Sequence, residues 1–395
     1  MLKQIHSTPT IPPEHIGFSR LLQFAHLFQA ELFPRLEPEI GPIDDRLALF
    51  IAARSMIPFG RLLAPNSSTG RPPKSRLALA HAFLAKSIFN CPHTRQLIAE
   101  LHTNEPLRRL CGYPCRSRIP HESCFSRAFA EFAQSELGQN AHEALIRATQ
   151  EGRIIGHVAR DSTAIEARER FPKAPAPAPA KKPSRGSRKA FARLSAAERL
   201  ALTGTRLEKQ LNSQATAVEM LAEIPKTCSI GVKTNSKGHE SSWRGYKLHL
   251  DTGDGQIPLT AVLTGASVHD SQVAIPLMKI TSARATYLYE LMDSAYDAAS
   301  IHAMSARLFH VAIIDPKTPP KPKTQLPCRV KPIPVLDPPE VIRYRERTMA
   351  ERVNGRLKDE FGARFVRVRG AAKVMTHLMF GVLALTVDQL LRLSR

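Results

Sequence analysis

Residues 246–267, YKLHLDTGDGQIPLTAVLTGAS, have the pattern of a β-hairpin. Apolar and polar residues alternate in the first half, a glycine-rich turn follows, and a second run of apolar and β-branched residues completes the motif. The sequence therefore predicts two antiparallel strands here. Which other strands join them depends on the segments to either side.

Those flanking segments extend the sheet. Short apolar runs at 153–161 (RIIGHVARD), 285–294 (ATYLYELMDS) and 308–315 (LFHVAIID) are predicted strands. Residues 270–281 are predicted to form a helix, and residues 338–361, which follow a proline, a charged helix. A hairpin followed by strands that alternate with helices predicts an α/β fold with a mixed sheet.

Residues 17–150 have a helical pattern instead. Apolar residues recur every three to four positions in segments such as 76–90, RLALAHAFLAKSIFN. Basic, turn-forming stretches at 70–74 and 107–120 separate these segments, which suits a helix-turn-helix DNA-binding domain. An all-helical domain with solvated basic loops has the same composition, so both interpretations stay open.

The chain is thus predicted to have a helical domain at 1–150, a mixed-sheet domain at 151–373 and a C-terminal helix at 374–395. Two segments interrupt the middle domain. Residues 172–210 begin with a basic Pro/Ala-rich stretch, and residues 316–340 are rich in proline. Such compositions bury little apolar surface, so both are interpreted as arms or linkers outside the core.

Composition limits the class of protein. Lysine and arginine number 56 against 35 aspartate and glutamate residues, a formal net charge of +21 that indicates a polyanionic partner, most often nucleic acid. With 43% hydrophobic residues the chain is not disordered throughout, and six cysteines are too few for a disulfide scaffold. Cys111, Cys115, His121 and Cys124 could hold zinc, but their spacing is irregular, and four reduced residues are the simpler interpretation.

The most apolar stretch is 378–387, LMFGVLALTV, which is too short to span a bilayer. The N-terminus lacks the pattern of a signal peptide. These features predict a buried C-terminal helix and a soluble, intracellular protein without a membrane partner.

Two aspartates, Asp161 and Asp293, end two of the predicted strands. Strand ends of a mixed sheet are where active sites are often built. Aspartate is also a common turn residue after a strand, so either one alone is weak evidence.

Four residues of the charged helix share one face. Tyr344, Arg347, Glu351 and Lys358 fall at about 0°, −60°, −20° and −40° around a helix with about 100° per residue. An aromatic ring, two cations and a carboxylate on one stripe suit a site that handles a metal and a phosphate. The alternative is an i, i+4 salt bridge between Arg347 and Glu351 with Lys358 as a bystander.

Asp161, Asp293 and Glu351 together could bind two Mg²⁺ ions, because hard cations prefer carboxylate oxygens. One metal would activate a water or a 3′-hydroxyl, and the other would stabilise the leaving oxygen. Arg347 and Lys358 would then grip a DNA phosphate.

The chain resembles the DDE transposases of bacterial insertion sequences, the group with a Tyr-x2-Arg-x3-Glu-x6-Lys signature. That signature is YRERTMAERVNGRLK at 344–358, with all four positions kept. The resemblance runs from about residue 70 to 373, and its other motifs are IPHESCFSRAF (119–129), DSTAIEA (161–167), WRGYKLHLD (243–251), TGASVHDSQ (264–272) and DSAYDA (293–298).

The resemblance implies an RNase H-like catalytic domain in which Asp161, Asp293 and Glu351 are the catalytic acids and metal ligands. It implies Mg²⁺, with Mn²⁺ expected to substitute, cleavage at the terminal inverted repeats of an insertion sequence, and joining to target DNA. Some relatives carry a large β insertion between the second Asp and the Glu. Here that interval is short and proline-rich, so functions of that insertion are not carried over.

Further expectations concern neighbouring residues and partners. Tyr344 is expected to contact DNA phosphate with Arg347 and Lys358, and His269 and Asp270 to support the metal ligands from behind. Asp297 is the main rival for the second acid. The partner is double-stranded DNA, bound by at least a homodimer when two ends are paired, in the cytoplasm of a bacterium at its nucleoid. Two alternatives remain: an inactive copy that only binds element ends, and another RNase H-like nuclease such as a junction resolvase.

Overall fold

The computed structural model describes residues 41–63, 73–169, 202–234, 239–316 and 338–394, with residues 38 and 195. Most of three predicted segments therefore lies outside the described residues. These are the first forty residues, the basic Pro/Ala-rich segment and the proline-rich segment.

The described residues before the first strand are helical. The helices are α1 Asp45–Met56, α2 Phe59–Leu62, α3 Arg76–Ile88, α4 Thr94–Thr103, α5 Glu105–Leu110, α6 Glu122–Gln134 and α7 Leu137–Gln150. Asp44, Ser75 and Asn104 cap α1, α3 and α5, because each side-chain oxygen accepts a hydrogen bond from the backbone N–H three residues on. The helical prediction for this region is confirmed.

A six-stranded sheet follows. Its strands are β1 Ile154–Glu166, β2 Ser229–Thr234, β3 Glu240–Gly253, β4 Ile257–Gly265, β5 Thr286–Met292 and β6 Val311–Ile314. The long β3 pairs antiparallel with β1, β2 and β4, whereas β5 is parallel to β1 and β6 is parallel to β5. The predicted mixed sheet is confirmed, and the hairpin at 246–267 is the β3–β4 pair.

Helices cover both faces of the parallel half of this sheet. The helices that follow β1 in the chain are α8 Arg206–Asn212, α9 Ala217–Ala222, α10 Ser271–Arg284, α11 Ala299–Arg307, α12 Pro338–Tyr344, α13 Thr348–Asp359 and α14 Ala371–Leu393. Met292 and Ile314 pack in the cluster that contains α10 and α11, and their neighbours Leu291 and Ile313 pack against α13. Successive residues of a strand point to opposite faces, so β5 and β6 lie between two helical layers.

The structure corrects the end of β1. This strand was expected to stop at Asp161, but it continues to Glu166. Small and β-branched residues continue the strand pattern after Asp161. The pairing of β1 with β3 is continuous from Asp161↔Leu250 to Glu166↔Gly245. Asp161 therefore lies inside a strand, and only Asp293 directly follows one.

The charged helix is also interrupted. One continuous helix was expected over 338–361, but a 3₁₀ turn at Arg345–Arg347 separates α12 from α13. Tyr344 and Glu351 therefore belong to different helices, and the single-face argument does not apply to the full set of four residues.

Helix α14 packs against α1, α3, α6, α7 and β4, and its residues share one hydrophobic core with the N-terminal helices. Helix α14 also lies close to the segment that follows α13, because a Cβ added at Gly381 would lie 2.6 Å from the carbonyl oxygen of Phe361.

With 23 residues, α14 is long and apolar enough to cross a membrane, so the expectation that its apolar stretch is too short to span a bilayer was wrong. Because 89% of its most apolar window is buried in the protein, α14 is instead typical of a core helix. The division into three domains stays a prediction.

Candidate active site

Asp161 lies in β1, and Asp293 directly follows the neighbouring parallel strand β5. The pairing of β1 with β5 includes His157↔Tyr289 and Ala159↔Leu291, and two more residues in the same register bring Asp161 opposite Asp293. Adjacent strands are about 4.8 Å apart. The two carboxylates therefore project to the same side of the sheet, the side that α13 covers.

Local hydrogen bonds hold both side chains. Asp293 Oδ1 accepts from the backbone N–H of Ala295 at 3.0 Å and so caps the 3₁₀ turn that follows β5. Asp161 Oδ2 accepts from Asn354 Nδ2 of α13 at 3.0 Å. The sheet and the covering helix together fix the two acids.

The environment disfavours negative charge on both acids. Burial raises the pKa of Asp161 to about 6, and the Asp293 carboxylate adds to that rise, while the N–H of Ser162 and the charge of Arg347 oppose it. Burial likewise raises the pKa of Asp293, and the nearby Asp270 contributes. A cation bound between these carboxylates would relieve this cost.

Arg347 provides positive charge among the acids. Its Nη2 lies 2.6 Å from Glu351 Oε1, its guanidinium carbon is 5.8 Å from the centre of the Tyr344 ring, and its charge opposes the rise in pKa of Asp161 and Asp293. The side chain of Glu351 is 55% exposed and directed to this arginine. The salt bridge considered as an alternative is therefore present.

Lys358 is not part of that ion pair. Burial lowers the pKa of Lys358, and the positive charges of Arg364 and Lys233 lower it further. The carboxylate of Glu166, at the end of β1, opposes this effect. Lys358 and Lys233 thus form a small positively charged area beyond the two aspartates.

The structure brings Asp161 and Asp293 together but leaves Glu351 apart from them. Within the described ranges, no three Asp, Glu, His or Cys side chains converge closely enough to hold a metal ion. This also applies to the cysteine cluster, in which Cys111 is buried, Cys115 is exposed and the thiols are free.

The oxygen donors nevertheless suit a hard divalent cation. Besides the two carboxylates, Asn354 Oδ1 is buried and has no hydrogen-bond partner among the described residues. Carboxylate and amide oxygens are preferred ligands of Mg²⁺. Asp161, Asp293 and Asn354 form an acidic site that Glu351 could join by leaving Arg347.

Asp270 lies behind this site in a basic setting. Its Oδ1 accepts from Lys247 Nζ at 2.9 Å and lies 4.0 Å from Nδ1 of the fully buried His249. Burial lowers the pKa of His249 to about 4, so its ring is neutral at pH 7. His269 is exposed, and its Nδ1 lies 2.8 Å from Ser271 Oγ, so His249 is the histidine beside Asp270.

The sequence analysis did not identify three residues of the candidate site, which are Asn354, Lys247 and His249. Asn354 follows Glu351 by three residues, a spacing that puts both on neighbouring positions of one helix face. Lys247 and His249 alternate along WRGYKLHLD, which indicates one face of a strand. Asp297, the rival second acid, lies 3.4 Å from His302.

A buried ion network lies on the opposite face of β1. Arg160 donates through Nε and Nη2 to both oxygens of Asp251, each at 2.8 Å, and lies 3.8 Å from Glu290. Thr281 of α10 donates to Asp251 at 2.6 Å. The arginine is 1% exposed and both acids are fully buried. The network joins β3, β1 and β5, and it therefore fixes the strands that carry Asp161 and Asp293.

Asp161→Asn is expected to stabilise the metal-free protein at pH 7.5 by about 3 kcal/mol, since burial raises the pKa of Asp161 from 3.8 to about 6 and one pKa unit corresponds to about 1.4 kcal/mol. The folded state raises the pKa of Asp161, so the wild-type carboxylate costs stability above the folded pKa of about 6. That cost disappears as the pH falls below the unfolded value near 4. Urea unfolding in EDTA at pH 7.5 and pH 4.5 checks this. A gain that is larger at pH 4.5 would contradict the assignment.

Family comparisons agree with this geometry. The family model described as "Transposase DDE domain" matches residues 154–387, which is more than half of the chain, and "Transposase domain (DUF772)" matches residues 45–131. The first match contains both aspartates and α13. The chain therefore belongs to the family with the Transposase DDE domain. No curated protein and no solved structure matches it.

Proposed function

We propose that this transposase cleaves DNA at the terminal inverted repeats of its own insertion sequence and joins the ends to target DNA by metal-dependent phosphoryl transfer. One observation carries the proposal. Asp161 in β1 and Asp293, which directly follows the parallel strand β5, come together on the side of the sheet covered by the helix that bears Glu351.

The strand order supports an RNase H-like catalytic domain. The antiparallel strands β4, β3 and β1 are followed across the sheet by the parallel strands β5 and β6. The resemblance implies an RNase H-like domain with one acid on the first strand, one near the fourth strand and one on a late helix, and the observed strand order supports this proposal.

Asp161, Asp293 and Glu351 would hold Mg²⁺, or Mn²⁺ in its place, and Asn354 Oδ1 is a further oxygen donor. The bound ions supply activation of a water or 3′-hydroxyl and charge stabilisation at phosphorus. Glu351 is at the start of α13 and its side chain is more than half exposed, so burial does not hold it against Arg347, and we propose that it turns to the aspartates when the ions bind.

The chain's own cations would position the DNA. Once Glu351 turns, the guanidinium of Arg347 is available to a phosphate oxygen, and Arg347 can offer two parallel donors. Lys358 and Tyr344 would contact the flanking backbone. Asp270 is held by Lys247 and its charge raises the pKa of Asp293, so we assign Asp270 a supporting role beside the acids, with the exposed His269 next to it in the chain.

Arg347→Ala tests the two roles proposed for this residue. Loss of the phosphate contact should lower the saturated cleavage rate about tenfold or more, the usual cost of one charge-assisted hydrogen bond. Loss of a competing cation should also reduce the Mg²⁺ concentration required for half-maximal cleavage. A magnesium titration of cleavage measures both effects.

Arg347→Lys is the matched control, because it keeps the charge and loses the bidentate geometry. It should restore the metal dependence and only part of the rate. If Arg347→Ala changes the metal requirement alone, the arginine is only the salt-bridge partner of Glu351.

The wider proposal includes partners and location. The helical region would bind element ends, two copies would pair the ends on DNA, and the protein would act at the bacterial nucleoid in the cytoplasm. The basic Pro/Ala-rich arm would add affinity without specificity.

The direct test incubates the full chain with labelled duplexes that carry the sequences flanking its gene, with Mg²⁺, and maps the products. Strand cuts at the repeat boundary and joined products support the proposal. End binding without cuts would identify an inactive copy, and cuts at branched DNA alone would identify a junction nuclease.

A further inference from the structure

A cleft of about 1020 Å³ separates the N-terminal helices from the segment that follows α13. Phe83 of α3 and Phe129 of α6 lie in its wall, with ring centres 4.8 Å apart. Its cationic lining consists of Lys86, Arg95, Arg367, Arg369 and Lys373. None of the candidate active-site residues contributes to it, so it is a separate feature.

Lys86 is the most unusual residue in the cleft. Its side chain is buried, with only 9% exposure, and has no hydrogen-bond or ion-pair partner among the described residues. Burial lowers the pKa of Lys86 to about 8, which leaves the amine mostly protonated at pH 7. An unpaired buried charge is costly unless an anion accompanies it. The amine borders the cleft, so an anion bound there would compensate this charge.

The N-terminus of α4 points to the same kind of ligand. Thr94, Arg95 and Gln96 of its first turn line the cleft, and His93 caps the helix without a side-chain hydrogen bond. The first backbone N–H groups of a helix attract anions, phosphate in particular.

The opposite wall presents two arginines side by side. In the sequence VRVR at 366–369, Val366 is buried and Val368 packs against the core, whereas Arg367 and Arg369 are exposed. Neither arginine has an ion-pair partner in the part of the chain that the structure describes. Arg95, by contrast, is paired with Glu122 at 2.9 Å.

We propose that this cleft binds backbone phosphates of duplex DNA, as a second contact region apart from the acidic site. The inference rests on the proposed function. The segment with Arg367 and Arg369 continues directly from α13, and the net charge of +21 favours a polyanion over a small ligand. The cleft would grip DNA that extends beyond the cut.

The first test measures binding of a 30-base-pair duplex of arbitrary sequence by fluorescence anisotropy across a salt series. The Arg367→Gln/Arg369→Gln variant should lower the slope of log affinity against log salt by about 2, since each lost phosphate contact removes about 0.9. Lys209→Gln/Lys226→Gln is the matched control. It removes two exposed cations outside the cleft and should keep the wild-type slope.

Equal slopes for the wild type and the cleft variant would overturn the inference and leave the proposed function intact. A wild type without affinity for the duplex would instead count against the proposed function.

A second test uses inorganic phosphate and the Lys86→Met variant, which keeps the length of the side chain and removes its charge. Phosphate should raise the melting temperature of the wild type, because it binds the folded state, and should raise that of Lys86→Met less. An equal rise in both proteins would show that Lys86 does not contact the anion.

Discussion

Asp161→Asn and Asp293→Asn are each expected to lower DNA cleavage roughly a thousandfold or more, because the loss of several kcal/mol of charge stabilisation corresponds to that factor. Each change keeps the size of the side chain and removes a carboxylate from the pair that β1 and β5 bring together. Glu351→Gln should have the same effect if Glu351 turns to the site. Duplex binding should stay within a few fold of the wild type, since no phosphate contact is removed. Cleavage and anisotropy assays on the same preparations measure both.

Asp297→Asn is the matched control. It removes a carboxylate four residues from Asp293 that lies 3.4 Å from His302. Its cleavage rate should stay close to wild type. Normal cleavage by Asp293→Asn together with loss in Asp297→Asn would show that the second acid has been assigned to the wrong residue.

Arg160→Met is expected to destabilise the fold by about 3–5 kcal/mol, because it leaves the buried carboxylate of Asp251 without its cation. Asp251 and Glu290 are fully buried, and Arg160 is the residue that holds Asp251 with two hydrogen bonds of 2.8 Å. Urea unfolding followed by circular dichroism measures the loss.

Arg392→Met provides the comparison. It breaks an ion pair with Asp388 in which the arginine side chain is 59% exposed, and such pairs contribute about 0–1 kcal/mol. Similar losses in the two variants would mean that the buried network does not hold the strands together. The pair Arg160→Met/Asp251→Asn should recover part of the stability, because one stranded charge is then removed.

Local patterns were sufficient for much of the fold. The β3–β4 hairpin, helix α10 and strand β5 have regular alternation or helical periodicity, and their turns carry glycine or capping residues. The position of Asp293 directly after β5 followed from the same signals.

Features set by distant partners could not be predicted in the same way. The extension of β1 past Asp161 depends on pairing with β3, which lies some eighty residues on in the chain. The break between α12 and α13 contains no proline or glycine. Met349 and Ala350 pack against Ala159 and Leu291, and this tertiary contact sets the path of α13. Arg160 lies in a run of residues that otherwise predicts a buried strand, and the sequence does not show which acids it contacts.

Because α14 completes the shared core, it determines when during synthesis the fold can be completed. This helix is synthesised after every element it packs against, including α1, α3, α6, α7 and β4. Until α14 leaves the ribosome, those partners expose the apolar surfaces that it will cover, and the nascent chain cannot complete its fold. A chain that stops before residue 371 would lack this cover, so the N-terminal helices and the sheet would lose their shared core together.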